Sequence, residues 1–255
     1  VSERLLTSFI TMSSLQFHKR PVSHFGAYLY SQVMVGRLLK TIDLERFQVF
    51  QERYRMADPR PNGYSKYLDL RRWMAIALWH CARLGLHRSR PLQILDIGTG
   101  AGYFPYVCSF YGHKVVALDL DIIPMYNEIC AFLNVDRRTW RVEKGHALPD
   151  LGMKFDLLTA FMIKFNNHPS SNQWSADEWR FMLADLKTNQ CAENGRLVLS
   201  FNSNADGRFY DDASRALFAS AGGEIYGRHV DFRVLRNPPP GQSWCPESAP
   251  WAVGR

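Results

Sequence analysis

The sequence predicts an α/β fold: a doubly wound, seven-stranded, mostly parallel sheet that ends in an antiparallel hairpin and is preceded by a helical N-terminal extension. Three observations carry that expectation. From about Pro91 to Arg236, short β-rich runs alternate with helical ones. One of them, Ile94-Leu95-Asp96-Ile97, leads through a glycine-rich turn into an apolar helix start at Tyr103. The last two runs are separated only by a turn around Gly227 to His229, too short for the crossover that parallel neighbours need.

Residues 1–90 read as helical. Leu70, Trp73, Met74, Ala77, Cys81 and Leu84 recur every three or four positions, which predicts one amphipathic helix over Tyr64 to Leu84, with Pro61, Asn62 and Gly63 punctuating its start. A second amphipathic stretch runs through Val35, Leu38, Leu39, Ile42, Phe47 and Phe50, with Arg37, Lys40, Arg46 and Arg53 among its outward positions. The extension holds 15 Lys/Arg against 6 Asp/Glu, a balance of +9, while the remainder holds 16 against 18, or −2. A basic segment beside a near-neutral domain suits an anionic partner or a solvated helical face.

In the α/β zone, residues 91–236, the runs predict strands at Leu92 to Asp96, Lys114 to Asp119, Trp140 to Glu143, Phe155 to Phe161, Arg196 to Phe201, Glu224 to Arg228 and Asp231 to Leu235. Helices are expected at about Tyr103 to Tyr111, Ile123 to Leu133, Ala176 to Thr188 and Asp211 to Ala221. The tail, residues 237–255, holds Pro238, Pro239, Pro240, Pro246 and Pro250 and reads as extended.

Composition narrows the function classes. With 46% hydrophobic and 22% charged residues, the chain is not disordered, collagenous or a coiled coil. Its longest apolar run, Trp73 to Cys81, is broken by His80 and falls far short of the roughly 20 residues of a membrane span. Val1 to Met12 lacks the pattern of a secretory signal, so a cytoplasmic location is expected. The five cysteines are scattered and never form a CxxC pair, which speaks for reduced core thiols over a disulfide framework or zinc ribbon.

The segment Asp96-Ile97-Gly98-Thr99-Gly100-Ala101-Gly102-Tyr103 spaces its glycines as GxGxG behind an acid. Such glycines serve where the backbone must turn at positive φ or let a ligand come close. After the next strand comes Leu118-Asp119-Leu120-Asp121, with Asp119 placed 21 positions after Gly98. Strand, loop, acid and terminal hairpin, in that order, closely resemble the class I S-adenosylmethionine-dependent methyltransferases over roughly Pro91 to Leu235. The resemblance implies that Asp96 orients the loop and the cofactor's amino-acid end. By the same implication Gly98, Gly100 and Gly102 give the methionine moiety access to the backbone, and Asp119, in preference to Asp121, binds the ribose hydroxyls. It also sets Thr99, Leu120, His146, Ala147 and Phe161 along the cofactor. His146 departs from the family, since Gly145-His146-Ala147 occupies the place where many relatives carry an acid for the adenine amino group.

In this kind of fold the acceptor meets the cofactor beyond the carboxyl ends of the central strands. There the fourth strand leads into Met162-Ile163-Lys164-Phe165-Asn166-Asn167-His168-Pro169. This is not the NPPY-type tetrapeptide of amino-methylating relatives. His168 is the candidate catalytic base for a hydroxyl acceptor, or a histidine that holds the loop. Asn202, Asn204 and Asp206 could offer oxygen ligands, but the matching acid after the fourth strand is missing, because Asp156 begins that strand. No metal is therefore expected. The reaction expected is methyl transfer from S-adenosyl-L-methionine, with S-adenosyl-L-homocysteine as product, to an oxygen, in preference to a nitrogen, of a polar or anionic small molecule or saccharide, with the basic extension covering the acceptor pocket. The alternatives are an RNA methyltransferase that reads phosphates with the extension, or a cofactor-binding protein without catalysis.

Overall fold

The computed structural model describes residues 24–57, 63–163, 173–204 and 206–235. The chain divides into two compact units, one formed by Val1–Pro91 with Phe110–Gly112 and the other by Leu92–Ser109 with His113–Arg255. The Pro-rich tail and Cys245 lie outside the described residues. Cys81, Cys108, Cys130 and Cys191 are buried, as expected of core thiols. No helix among the described residues is long and apolar enough to cross a membrane.

In the first unit α1 (His24–Leu39) packs on α3 (Leu70–Leu84), and α2 (Leu44–Ala57) comes between them in sequence. Ala27, Ser31, Val35 and Leu38 of α1 are buried, as are Leu70, Met74, Ala77, Leu78 and Cys81 of α3. Each set keeps to one stripe of a 3.6-residue period.

Two sequence expectations are corrected here. Tyr64 to Leu84 is not one helix: Tyr64–Leu68 is a 3₁₀ turn, and α3 starts only after Asp69, whose carboxylate accepts from the Arg72 N–H at 3.1 Å. Such a cap contributes about 1 kcal/mol and sets the start of the helix against a continuous apolar period. The stretch from Val35 to Phe50 is likewise two helices. Its break is held by Thr41 Oγ1 donating to the Leu38 carbonyl (2.6 Å) and by Asp43 accepting from the Arg46 N–H (3.0 Å). Arg37, Lys40, Arg46 and Arg53 are all exposed.

The second unit is the expected sheet. Its elements are β1 (Gln93–Ile97), α4 (Tyr103–Phe110), β2 (Lys114–Asp119), α5 (Pro124–Phe132), β3 (Arg137–Thr139), β4 (Phe155–Ile163), α6 (Ala176–Asp185), β5 (Cys191–Phe201), α7 (Asp212–Ser220), β6 (Glu224–Tyr226) and β7 (His229–Phe232). The strand order is β3-β2-β1-β4-β5-β7-β6. β1 pairs in parallel with β2 and β4, and β7 runs antiparallel to both β5 and β6. Four of the five residues of β1 are buried, as a central strand covered on both faces requires. Leu95, Leu118, Leu158, Leu197, Phe218 and Phe232 form part of one continuous core. The Arg196 guanidinium grips Asp231 through two bonds (2.9 and 2.5 Å) between β5 and β7.

Some boundaries move. β3 lies at Arg137–Thr139, three residues before the expected Trp140 to Glu143, pairing with Ala117, Leu118 and Asp119. It is an outer strand with no buried residue, so it needs no apolar side chains, and the apolar pair Trp140 and Val142 misdirects the reading. The Trp140 N–H still donates to the Asp119 carbonyl at 2.8 Å. β5 begins at Cys191 instead of Arg196, because an irregularity in its pairing sets Phe155 opposite Cys191 and Leu157 opposite Arg196. β7 begins two residues early, since Gly227 turns at φ +57° and shortens the hairpin.

Candidate functional site

β1 ends in a loop that crosses to α4 through Gly98, Gly100 and Gly102, all at positive φ (74°, 57° and 75°). These are angles that side chains with a Cβ rarely adopt. The two later glycines serve different needs. A Cβ at Gly102 would stand 2.8 Å from Cys130 Sγ and 3.2 Å from Val135 Cγ2, so packing onto α5 excludes it. At Gly100 the nearest atom is Tyr126 Cε2 at 3.8 Å, an ordinary contact. There the protein itself leaves room, and the backbone angle alone calls for glycine.

The loop is tied to β2. The Gly98 N–H donates to the Leu118 carbonyl at 2.7 Å. The Asp119 carboxylate accepts from the Gly100 N–H and from the Leu120 N–H, the latter at 2.6 Å. A carboxylate has about four lone-pair sites, so Asp119, which is half-buried, retains acceptor capacity for further hydroxyls. Asp121 is engaged elsewhere, accepting from the Asn127 amide on α5.

Asp96 is the other acid of the loop, and it is 3% exposed. One oxygen accepts from the Thr159 hydroxyl of β4 at 2.7 Å. Burial pushes its pKa up to about 7, against the opposing effect of that hydroxyl, and the neighbouring charge of Asp119 adds to the rise. The Thr99 hydroxyl stands close enough to favour the ionised form, yet it makes no bond of proper geometry, and the buried Oγ1 is left without a partner. An orphaned buried hydroxyl, a buried acid beside it and an open backbone at Gly100 together leave polar groups and room for a small ligand. Beneath the loop, the Cys130 thiol donates to the Gly100 carbonyl at 3.5 Å. Burial pushes its pKa up to about 12, which makes it a packing group and no nucleophile.

Hydrogen bonds thus join Asp96, Gly98, Gly100, Asp119 and Leu120 to their loop and strand neighbours around Thr99 and Gly102. Leu120 is half-buried, and its carbonyl accepts from the Arg137 guanidinium. Phe161 stands near the carboxyl end of β4 and packs edge-on against Phe104, ring centroids 5.0 Å apart. His146 and Ala147 are exposed on the segment after β3. The contacts of the His146 ring are local: Nδ1 lies 3.0 Å from the Lys144 carbonyl and 4.0 Å from Glu143. His168, with Asn166 and Asn167, lies outside the described residues.

One feature at the end of β4 has no precursor in the sequence. Met162 adopts φ +55°, an uncommon angle for a side chain of this kind. Asn202, following β5, donates to its carbonyl at 2.5 Å, and Arg228 stands 3.3 Å from its sulfur. The bond of Asn202 uses its amide N–H, whereas the Asp206 carboxylate accepts from the Arg208 guanidinium at 2.6 Å. Among the described residues no group of His, Cys, Asp and Glu could hold a metal ion.

No protein-family model matches the chain, and no curated protein does. Among solved structures it is similar to a ribosomal protein L11 methylase from Lactobacillus delbrueckii subsp. bulgaricus (21% identity, 63% of this chain and 76% of that one, TM-score 0.39). It is also similar to CalS10, an amino pentose methyltransferase from Micromonospora echinaspora with S-adenosylmethionine bound (23%, 55% and 54%, TM-score 0.38). A third is the glycopeptide N-methyltransferase MtfA, also complexed with S-adenosylmethionine (15%, 52% and 55%, TM-score 0.37). The matched stretch spans about half the length of the last two. Likenesses this distant assign no activity.

Proposed function

We propose that the chain is an S-adenosylmethionine-dependent methyltransferase whose α/β unit holds the cofactor and whose acceptor is a polar or anionic small molecule or saccharide, methylated on oxygen. The observation that carries this reading is the glycine loop bracketed by two acids, one buried beside an orphaned hydroxyl and one bonded to the loop backbone. When bound, the cofactor supplies a methyl group made electrophilic by a positively charged sulfonium. Asp96 would face the amino-acid end, where its ionised form offers a counter-charge. The backbone at Gly98 and Gly100 would lie along that end, and Asp119 would accept from the two ribose hydroxyls. Leu120, Phe161, Ala147 and His146 complete the proposed lining.

Transfer to an alcohol would form a C–O bond as the methyl–sulfur bond breaks, leaving a neutral thioether and releasing the hydroxyl proton, so an oxygen acceptor needs a base within reach. We assign that proton to His168, on the segment following β4, because the carboxyl ends of β1 and its neighbour β4 open on the same crevice in this topology.

Calorimetric titration with S-adenosylhomocysteine, followed by labelled methyl transfer to saccharides, phenols and RNA, tests the reading. Binding with label appearing in a saccharide or a small anion is expected. Failure to bind overturns the proposal altogether. Binding without product in any acceptor returns the chain to a cofactor-binding platform, and salt-sensitive labelling of RNA replaces the acceptor class. His168→Ala should lower kcat by about 100-fold or more with cofactor affinity unchanged; normal turnover would remove it from the chemistry.

A further inference from the structure

Phe161 of β4, Ser200 of β5 and His229 of β7 stand opposite one another in register. β4 and β5 run parallel and β7 antiparallel, so the turn before His229 lies at the carboxyl edge of the sheet, the edge at which β1 leads into the glycine loop. Arg228 sits in that turn, and the backbone there is fixed. Its carbonyl accepts from the Phe201 N–H at 2.9 Å, and the Tyr210 hydroxyl donates to the Gly227 carbonyl at 2.6 Å. The side chain reaches back across β5 to the end of β4. There Nη1 donates to the Met162 sulfur at 3.3 Å, and the guanidinium carbon stands over the Phe209 ring, 5.2 Å from its centroid.

Both of these partners are uncharged. Arg228 is half-buried, yet among the described residues no carboxylate pairs with it. Arg196, by contrast, holds Asp231 through two bonds. A guanidinium presents five N–H donors in a planar fork that matches a carboxylate or phosphate, whereas a thioether sulfur is a weak acceptor. Met162 is itself unusual in its backbone. It is the extra residue of a bulge, since Phe161 faces Ser200 and Ile163 already faces Phe201, and its φ of +55° is of the uncommon kind that clusters at ligand sites. Bulges beside active sites re-aim a side chain. Here the side chain meets Arg228 and the Ser200 hydroxyl, which donates to its sulfur at 3.7 Å.

We propose that Arg228 selects the methyl acceptor: the N–H groups it does not give to Met162 bind a carboxylate or phosphate on a small molecule lying at the carboxyl ends of β4 and β5. The inference rests on the methyltransferase reading above and narrows its acceptor from polar or anionic to anionic. One cation suits one acidic group of a small molecule, whereas a nucleic-acid strand is held by a row of them. The contacts with Phe209 and Met162 hold the fork in place before the anion arrives, which lowers the ordering cost of binding.

Modification of the full chain with phenylglyoxal, which attacks accessible arginines, followed by peptide mass spectrometry, tests the assignment with and without S-adenosylhomocysteine. Inorganic phosphate and acetate are the probes for the two kinds of acidic group, and sodium chloride at equal ionic strength is the control for screening. A saturating probe should slow modification of Arg228 by about tenfold or more, chloride should not, and the exposed Arg37, Arg46 and Arg53 should react alike in all three salts. Whichever probe protects identifies the acidic group. Arg228→Gln should keep the parent's Tm and its affinity for S-adenosylhomocysteine. Modification of Arg228 at one rate in all three salts, including no modification at all, overturns the proposal. So does a loss of Tm and cofactor affinity together in Arg228→Gln, which would make Arg228 a packing residue. Bound S-adenosylhomocysteine with an unprotected Arg228 refutes this inference alone. A protected Arg228 in a chain that does not bind S-adenosylhomocysteine refutes the methyltransferase reading, and the acceptor assignment falls with it.

Discussion

The helical and the α/β unit differ in where their apolar side chains end up. Of the fourteen large apolar residues exposed among the described residues, nine belong to the smaller helical unit, five of them being Phe25, Val33, Val49, Met56 and Tyr64. The α/β unit buries its apolar residues in one core and brings its polar residues to the ends of strands, as with Asp96 and Asp119 on either side of the glycine loop. The helical unit leaves more of its large apolar side chains exposed, beside a charge balance of +9 over residues 1–90.

The largest effect should come from Gly102→Val. The new side chain would meet Cys130 and Val135 while the backbone holds φ +75°, a combined cost of roughly 2–5 kcal/mol from overpacking and left-handed strain. Urea unfolding should show this loss, whereas Gly100→Val should leave the fold in place and abolish binding of S-adenosylhomocysteine. Equal destabilisation by both would mean that the left-handed backbone angle they share, and not the packing at Gly102, sets the cost.

Asp119→Ala should come next. Losing charge-assisted hydrogen bonds of about 1.5–3 kcal/mol corresponds to roughly 10- to 150-fold weaker cofactor binding, read by calorimetry. Unchanged affinity would take Asp119 out of the site.

Asp96 connects the site to pH. Its folded pKa, about 7, lies above the ordinary carboxyl value of 3.8, so the folded chain holds this proton more tightly than the unfolded one. The resulting stability is fully present below about pH 4 and is lost as pH rises through about 7. Tm of the free protein should fall across that window, and Asp96→Asn should flatten the fall. If the ionised acid faces a cationic group, cofactor affinity should run the other way, increasing by up to about tenfold per pH unit and levelling off above about 7. Affinity independent of pH would separate Asp96 from the amino-acid end.

The smallest effect concerns the helical unit alone. Reversing Arg37, Lys40, Arg46 and Arg53 to Glu should raise the KM of an anionic acceptor a few-fold and leave cofactor affinity unchanged. Kinetics indifferent to these charges and to salt would leave the basic surface as a solvated face.

The seven strands, four α/β helices and hairpin were legible because a buried strand or a crossover helix writes its period directly into the apolar pattern. The glycine loop was legible because positive φ restricts the choice of residue. β3 was misplaced because an edge strand has little to bury, and the start of α3 because one capping carboxylate, Asp69, outweighs a continuous period. Met162 could not have been found, since a positive φ is no property of methionine and the partner of its carbonyl, Asn202, lies 40 residues further along the chain.

By itself, then, the sequence determined the order of elements, the spacing between the glycine loop and Asp119, and the imbalance of charge between the two halves. All three are properties of residue type and separation along the chain. Only the tertiary structure decided that Asp96 is sealed from water beside Thr159 and an unpartnered Thr99 hydroxyl, that Gly100 is open where Gly102 is closed, and that α1 shows an apolar side to the outside. Those depend on which atoms meet across the fold. A pKa, a steric margin and an uncovered face are all measured against neighbours distant in sequence.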